Sequence, residues 1–323
     1  MFCIIDNSTN PYWNLAAEEY LLGREISFFR LWQNEPSIIV GRNQNTAAEI
    51  NSSFVEEHNI AVVRRLSGGG AVFHDLGNIN YSYYCNKTEG GPAETFKLMT
   101  VPIIDTLADL GLKAELSGRN DLLVDGKKIS GNALYYSHQR MLCHGTILLN
   151  ASMQNLSASL QSRPEKFFDK AVKSTRSRVA NINDFLADTL QPKELIAKIV
   201  SHIDFGSYYH YSKEDLAEID KLAQEKYSSY DWNYGHSPKY SFSRCKKFPS
   251  GLIELNMNVE NGFIKALYIQ GDYFFSKDTS NFCKQLEGCS LDKRKIVEKL
   301  NSLPLDDYFY GLSSKELCQL FIT

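Results

Sequence analysis

Two turn dipeptides limit the topology of this chain more than any other feature. Asp125-Gly126 separates apolar arms at 122–124 and 127–133, and Asn261-Gly262 separates 253–259 from 263–270. Both dipeptides favour the two-residue hairpin turn that needs positive φ twice. In the second hairpin Ile253, Leu255, Met257 and Val259 alternate with Glu254, Asn256, Asn258 and Glu260. That is the period of a half-exposed strand. Strands that pair through hairpins argue against a doubly wound β-α-β fold. The pattern predicts an α+β protein with a mixed or antiparallel sheet.

The remaining elements agree. Helical spacing predicts helices over 12–24, 53–59, 95–110, 193–203 and 213–226. In the first, Leu15, Ala16, Glu19, Tyr20 and Gly23 drift along one stripe. The last begins at Ser212-Lys213-Glu214-Asp215, a capping-box pattern. Strands are predicted over 26–32, 37–41, 61–66, 80–85 and 141–150. Near 243–249 the pattern restarts, and helices follow near 278–287, 291–301 and 313–321, with Gly288 and Gly311 as breaks. A length of 323 residues suits two domains. We expect the first over 1–245 and a small α/β domain over 246–323.

Charge and cysteine usage narrow the function. The balance of 35 basic and 38 acidic residues leaves −3, no footprint for nucleic acid or an anionic membrane. No apolar run reaches the roughly 18 residues of a membrane span. The N-terminus lacks a basic, apolar secretory signal. The seven cysteines are scattered, odd in number and without a C-x-x-C pair, as expected of reduced cytoplasmic thiols. Metal-ligand spacings such as H-x-x-x-H are missing.

Three clusters carry chemistry. In Arg64-Arg65-Leu66-Ser67-Gly68-Gly69-Gly70-Ala71-Val72-Phe73-His74-Asp75, three glycines remove every Cβ from one bend. Backbone N–H groups can then face an anion, and the two arginines can pair with phosphate oxygens. A glycine-rich turn without a ligand is the alternative, since neither a Walker A loop nor G-x-G-x-x-G is present. The second cluster is Ser117-Gly118-Arg119-Asn120-Asp121 with Lys127-Lys128-Ile129-Ser130-Gly131-Asn132-Ala133. On a regular strand Lys128 shares a face with Ser130, opposite Lys127 and Ile129. Paired lysines beside a turn otherwise read as a solvated end. The third is Cys143-His144-Gly145-Thr146 entering a strand, where alternation sets Cys143 and His144 on opposite faces and opposes a thiol–imidazole dyad.

Taken together and in order, these clusters resemble the lipoate–protein ligase family. Its signature R-R-x-S-G-G-G-A-V-F-H-D, G-R-N-D, K-[IV]-S-G-x-A and H-G-T-x-L-L-N stands here at 64–75, 118–121, 128–133 and 144–150. Ser174-Thr175-Arg176-Ser177-Arg178-Val179, Trp232-Asn233-Tyr234-Gly235 and the tail with Leu286-Glu287-Gly288-Cys289 extend the likeness over nearly the whole chain. Leu66 stands where some members carry another basic residue.

The resemblance implies a catalytic domain of the biotin and lipoate protein ligase fold and a C-terminal accessory domain. It implies activation of lipoate by ATP to lipoyl-AMP and transfer to a lysine of lipoyl domains. The implied acceptors are 2-oxoacid dehydrogenases and the glycine-cleavage carrier protein. Lys128 would be the central lysine, touching the acyl carbonyl and the α-phosphate. Arg65 would contact the adenylate. Ser67, Gly68, Gly69, Gly70, Ala71, Val72, Phe73, His74, Asn120, Asp121, Gly131 and His144 would complete the nucleotide and acyl pocket. Asp121 would serve Mg²⁺. A cytoplasmic monomer is implied, and lipoate and octanoate, apolar acids of similar length, stay equivalent. Two rivals follow. One is an ATP-independent octanoyl or lipoyl transferase acting through a cysteine, which would lack the tail. The other is a non-catalytic lipoyl-domain binder.

Overall fold

The computed structural model describes residues 1–87, 91–117, 120–160, 179–234, 242–260, 263–290 and 293–322. Its strands are β1 (Phe2–Ile5), β2 (Phe28–Trp32), β3 (Ser37–Val40), β4 (Ala61–Arg64), β5 (Val72–His74), β6 (Asn78–Asn86) and β7 (Ala114–Ser117). These are followed by β8 (Asp121–Val124), β9 (Lys127–Ser137), β10 (Arg140–Leu148), β11 (Ser207–Tyr208), β12 (Phe242–Phe248), β13 (Gly251–Glu260) and β14 (Phe263–Gly271). The large sheet runs β11-β1-β2-β6-β10-β9-β8-β7, antiparallel from β2 to β7, with β1 parallel to both β2 and β11. The β8–β9 turn is the predicted one, with φ of +48° at Asp125 and +73° at Gly126.

Alternation along these strands sorts side chains onto two unlike faces. One face is apolar: Leu31, Ile79, Tyr81, Ile129, Cys143 and Ile147 pack under the helices Gly91–Asp109 and Pro192–Ser201. The other face carries Trp32, Asn80, Thr146, Gly131 and Asp121 as one transverse row, each paired with the next across β2, β6, β10, β9 and β8. Over this polar face lie the helix Pro11–Leu22 and a small sheet in which β3 pairs with β4 in parallel and β5 antiparallel. Asn10 caps that helix through Tyr12 and Trp13. The single predicted stripe is not what it buries. Asn14, Leu15, Ala16, Ala17, Glu18, Leu21 and Leu22 are buried, while Gly23 is exposed. The helix is held between the sheets and the helix Lys213–Leu222, so more than one face is covered.

The C-terminal unit is a three-stranded antiparallel sheet, β12-β13-β14, under the helices Thr279–Leu286, Lys293–Asn301 and Ser314–Ile322. Ile253, Leu255 and Met257 point into its core against Phe282, Leu300 and Leu317. Asn256, expected outward, is also buried, beside Glu254 and Gln270. The turn Asn261-Gly262 lies outside the described residues. β12 pairs with β13 from Phe242 to Phe248, so a division at 245/246 falls inside a paired strand. Among the described residues no helix is long and apolar enough to cross a membrane.

Candidate functional site

The glycine bend joins β4 to β5 and is shaped by two buried arginines. Arg64 donates to the carbonyls of Gly41, Arg42, Gln44, Trp232 and Asn233 and to Thr46 Oγ1. The Trp232-Asn233 pair returns the contact, taking the Arg64 carbonyl and N–H respectively. Arg65 donates to Ser67 Oγ and to the carbonyls of Ile39, Gly68 and Gly70. Burial pulls both guanidinium groups down to about 10, still charged at neutral pH. Of the two arginines expected to pair with phosphate, Arg64 is wholly engaged by main-chain and hydroxyl oxygens, whereas Arg65 curls the glycine bend around itself and also lines the cavity of the site.

Each glycine has a different reason. A Cβ on Gly68 would stand 2.1 Å from the Tyr273 carbonyl, so this glycine admits the backbone of the C-terminal unit. Gly69 has φ of +90° and donates to the same carbonyl. A Cβ on Gly70 would meet nothing within 4 Å, because that residue faces open space.

Lys128 lies across this space. The β8–β9 pairing slips between Leu122 and Leu123: Leu122 opposes Ser130 while Leu123 opposes Lys128. The extra residue, Ile129, enters the apolar core, and Lys128 folds over Gly131 rather than sharing a face with Ser130. Its Nζ is 2.8 Å from Asp121 Oδ1. A Cβ on Gly131 would lie 2.8 Å from that Nζ. Lys127 is exposed. Asn120 and Asn132 exchange hydrogen bonds beside the pair.

The two histidines are held by buried relays. His144 Nε2 is 2.6 Å from Ser67 Oγ, and its Nδ1 is 2.9 and 3.0 Å from the Glu18 oxygens. Ser82 also donates to Glu18. Burial pushes the Glu18 carboxyl up, but His144, Ser82 and Arg30 together carry it below its ordinary value. His74 Nδ1 meets Asn34 Nδ2 at 3.0 Å. Burial, with Arg65 and His144 nearby, pushes His74 down to about 3.

These groups surround a cavity of about 170 Å³. Of the expected residues Arg65, Gly69, Gly70, Ala71, Val72, His74, Asn120, Lys128, Gly131 and His144 line it. Asp121 stands at its rim through Lys128, and Ser67 sits behind His144. Phe73 does not line it. As the middle residue of β5 it points opposite to Val72 and His74, into a core with Ile38, Val40 and Val62. Gly68 faces Tyr273 instead. Gly118, Arg119, Ser174, Thr175, Arg176, Ser177, Arg178 and Gly235 lie outside the described residues. Sequence reading missed Leu15, Glu18, Trp32, Ile39, Asn80, Asn132, Ala133, Gly145 and Thr146 as wall residues. Asn80 had a signal, since Asn78, Asn80 and Ser82 alternate with apolar residues on one strand. Among the described residues no group of three or more His, Cys, Asp or Glu is placed to hold a metal ion.

Comparison with known proteins gives concordant results. Residues 10–204 match the family described as the Lipoyl protein ligase A/B catalytic domain, and 237–321 match the Bacterial lipoate protein ligase C-terminus. The chain is 42% identical to lipoate–protein ligase 1 of Staphylococcus aureus, over 98% of each protein. It is 40% identical to the lipoate-protein ligase LplJ of Bacillus subtilis, over 99% of each. Plasmodium falciparum LipL1 in complex with lipoate superposes with a TM-score of 0.76, at 27% identity over 94% of both chains. A lipoate-protein ligase A bound with ATP gives 0.63, at 27% identity over 72% of this chain and 98% of that one. A Thermoplasma acidophilum bipartite lipoate ligase, described with its E2 lipoyl domain, gives 0.65 at 29% identity over 75% of this chain and 98% of that one.

Proposed function

The chain belongs to the lipoate–protein ligase family, and from that premise we propose that it couples lipoate to AMP with ATP and passes the lipoyl group to a lysine of an acceptor lipoyl domain. The observation that carries the reading is Lys128, bent over Gly131 beside Asp121 at one end of a cavity whose other end lies under Trp32 and Asn80. The solved relatives that hold lipoate and ATP support the two substrates, and the relative described with its E2 lipoyl domain supports the acceptor class.

The chemistry follows from what a carboxylate lacks. Its leaving group would be an oxide, and AMP provides a better one. The lipoate carboxylate attacks the α-phosphate and pyrophosphate leaves. Charge grows on the phosphate oxygens, where the Lys128 ammonium stabilises it. The neutral acceptor amine then attacks the acyl carbon, the same ammonium faces the oxyanion, and the acyl–oxygen bond breaks so that AMP leaves and the amine gives up its proton. Leu15, Ile39, Ala71 and Val72 wall the tail, each buried CH₂ contributing about 0.8 kcal/mol. A lone carboxylate, Asp121, is too small a donor set for a protein-built cation site, but suits a Mg²⁺ carried mainly by phosphates. Bound there, Mg²⁺ would neutralise charge on pyrophosphate. A cytoplasmic monomer is part of this proposal, supported by a cavity whose described wall residues all come from one chain. Acceptors of the 2-oxoacid dehydrogenase and glycine-cleavage type are part of this proposal.

The cysteine-dependent transferase is less well supported. Cys143 is fully buried on the far, apolar face, and burial holds its thiol well above the ordinary range. Among the described residues no cysteine lines the cavity. Intact mass of a lipoyl domain, incubated with the protein, lipoate and Mg²⁺ with and without ATP, tests the proposal. The expected result is an ATP-dependent lipoyl increment. Transfer only from an acyl thioester would replace the ligase with the transferase, and binding without any increment would leave the non-catalytic binder.

A further inference from the structure

The far end of the cavity is not simply apolar. Trp32 Nε1, His74 Nε2 and both amide atoms of Asn80 are buried and without a hydrogen-bond partner among the described residues, and all three residues line the cavity. Buried polar groups are ordinarily paired, so four orphaned atoms on one wall call for an occupant. Their donor or acceptor character is set by the surrounding network. Arg30 donates to Asn14 Oδ1 at 2.8 Å, and Asn14 Nδ2 donates to Asn34 Oδ1 at 2.9 Å. Asn34 therefore presents its NH₂ to His74 Nδ1, which must accept. The depressed basicity of His74 keeps the ring neutral, so its proton sits on Nε2. Three of the four orphaned atoms are thus N–H donors, and Asn80 Oδ1 is the acceptor.

Register places this group relative to Lys128. Asn80 is paired with Thr146, and Thr146 with Gly131, under the Lys128 side chain. Two strand spacings, about 10 Å, separate them. A medium-chain acid with its carboxyl at Lys128 and laid across the strands brings its far end against Asn80.

We propose that Trp32 Nε1, His74 Nε2 and Asn80 form a donor-rich seat that selects acids carrying sulfur or another acceptor atom at the far end over plain alkyl acids of equal length, with Asn80 the specificity-determining residue. This rests on the ligase reading above. An alkyl tail excludes water from these N–H groups and offers nothing in return, whereas ring sulfur is a weak acceptor. A site built to hydrogen-bond a substrate group discriminates against the analogue lacking it more strongly than an apolar slot does.

The test is kcat/KM for lipoate and for octanoate in the wild-type protein and in Asn80→Leu, which keeps the branched heavy-atom skeleton and removes the amide. Wild type is expected to prefer lipoate, and the preference to fall about tenfold in the variant. A preference unchanged in folded Asn80→Leu overturns the proposal. So does equal use of both acids by the wild type, a measurement that stands even where the variant does not fold. Calorimetric binding of the two free acids to the wild type separates the failures. Selective binding of lipoate without ATP-dependent transfer overturns the reaction and keeps the seat. Transfer with no selectivity in binding or turnover overturns the seat alone.

Discussion

Gly131→Ala isolates the position of the Lys128 ammonium from the stability of the fold. The new Cβ would stand 2.8 Å from Nζ and 2.9 Å from Cε of Lys128, where ordinary contact is 3.4–4 Å. Gly131 is on a strand and has no positive φ, so the backbone accepts alanine. What must move is the lysine tip, by about 1 Å. That breaks the 2.8 Å contact with Asp121 and takes the charge off the line of the transferring phosphate. Misplacement of this size typically costs about 10²-fold in rate, near the lower end of the 10²–10³ lost on removing such a donor outright. Stability should change by less than about 1 kcal/mol. The assay is lipoate-dependent ATP–pyrophosphate exchange, with a thermal melt alongside. Because both substitutions act through one ammonium, Gly131→Ala should add almost nothing in a Lys128→Ala background. An undiminished rate in Gly131→Ala, or fully additive losses in the double variant, would refute the role given to Lys128.

Three further outcomes are expected. Phe73→Ala should lower stability by about 3–5 kcal/mol in urea titration while leaving lipoate affinity by calorimetry intact, because the ring fills a core and not the cavity; weakened binding at unchanged stability would contradict that placement. Cys143→Ser should keep its turnover while losing roughly 1–3 kcal/mol of stability to a buried hydroxyl, and an inactive but folded variant would restore the thiol mechanism. His74 stays neutral in the fold down to about pH 3, whereas the unfolded chain takes up the proton near 6.5, so stability falls as pH drops through that window, by up to about 1.4 kcal/mol per unit. His74→Gln should flatten the dependence of Tm on pH above the carboxylate range, and identical slopes would count against a buried neutral ring.

Much of this was legible in the chain itself. Asp125-Gly126 demanded two positive φ angles and received them. The strict alternation 253–257 marked a core face, and the ordered motifs marked the family. Alternation also parted Cys143 from His144 correctly. These are local properties: a turn type and a period of two are written into neighbouring residues. The same rule, applied to 71–74, would have turned Phe73 away from the pocket, but no strand is predicted over that stretch.

Other features depended on contacts between distant segments. Whether Arg64 and Arg65 meet a ligand or main-chain carbonyls depends on what 39–46, 67–70 and 232–233 leave unpaired, and a buried guanidinium binds whatever acceptors surround it. Glu18 becomes a site residue because helix packing delivers it to His144 across 126 positions of sequence. Lys128 owes its direction to the slip at Ile129, a mismatch between two strands that neither reveals alone. The sequence by itself determined the hairpin turns, most of the longer elements and the chemistry they carry, because these follow from local backbone preferences and residue type. Only the tertiary structure decided which polar groups are already satisfied and which remain open to a ligand, because hydrogen bonding inside a protein is settled by every segment that packs around the group.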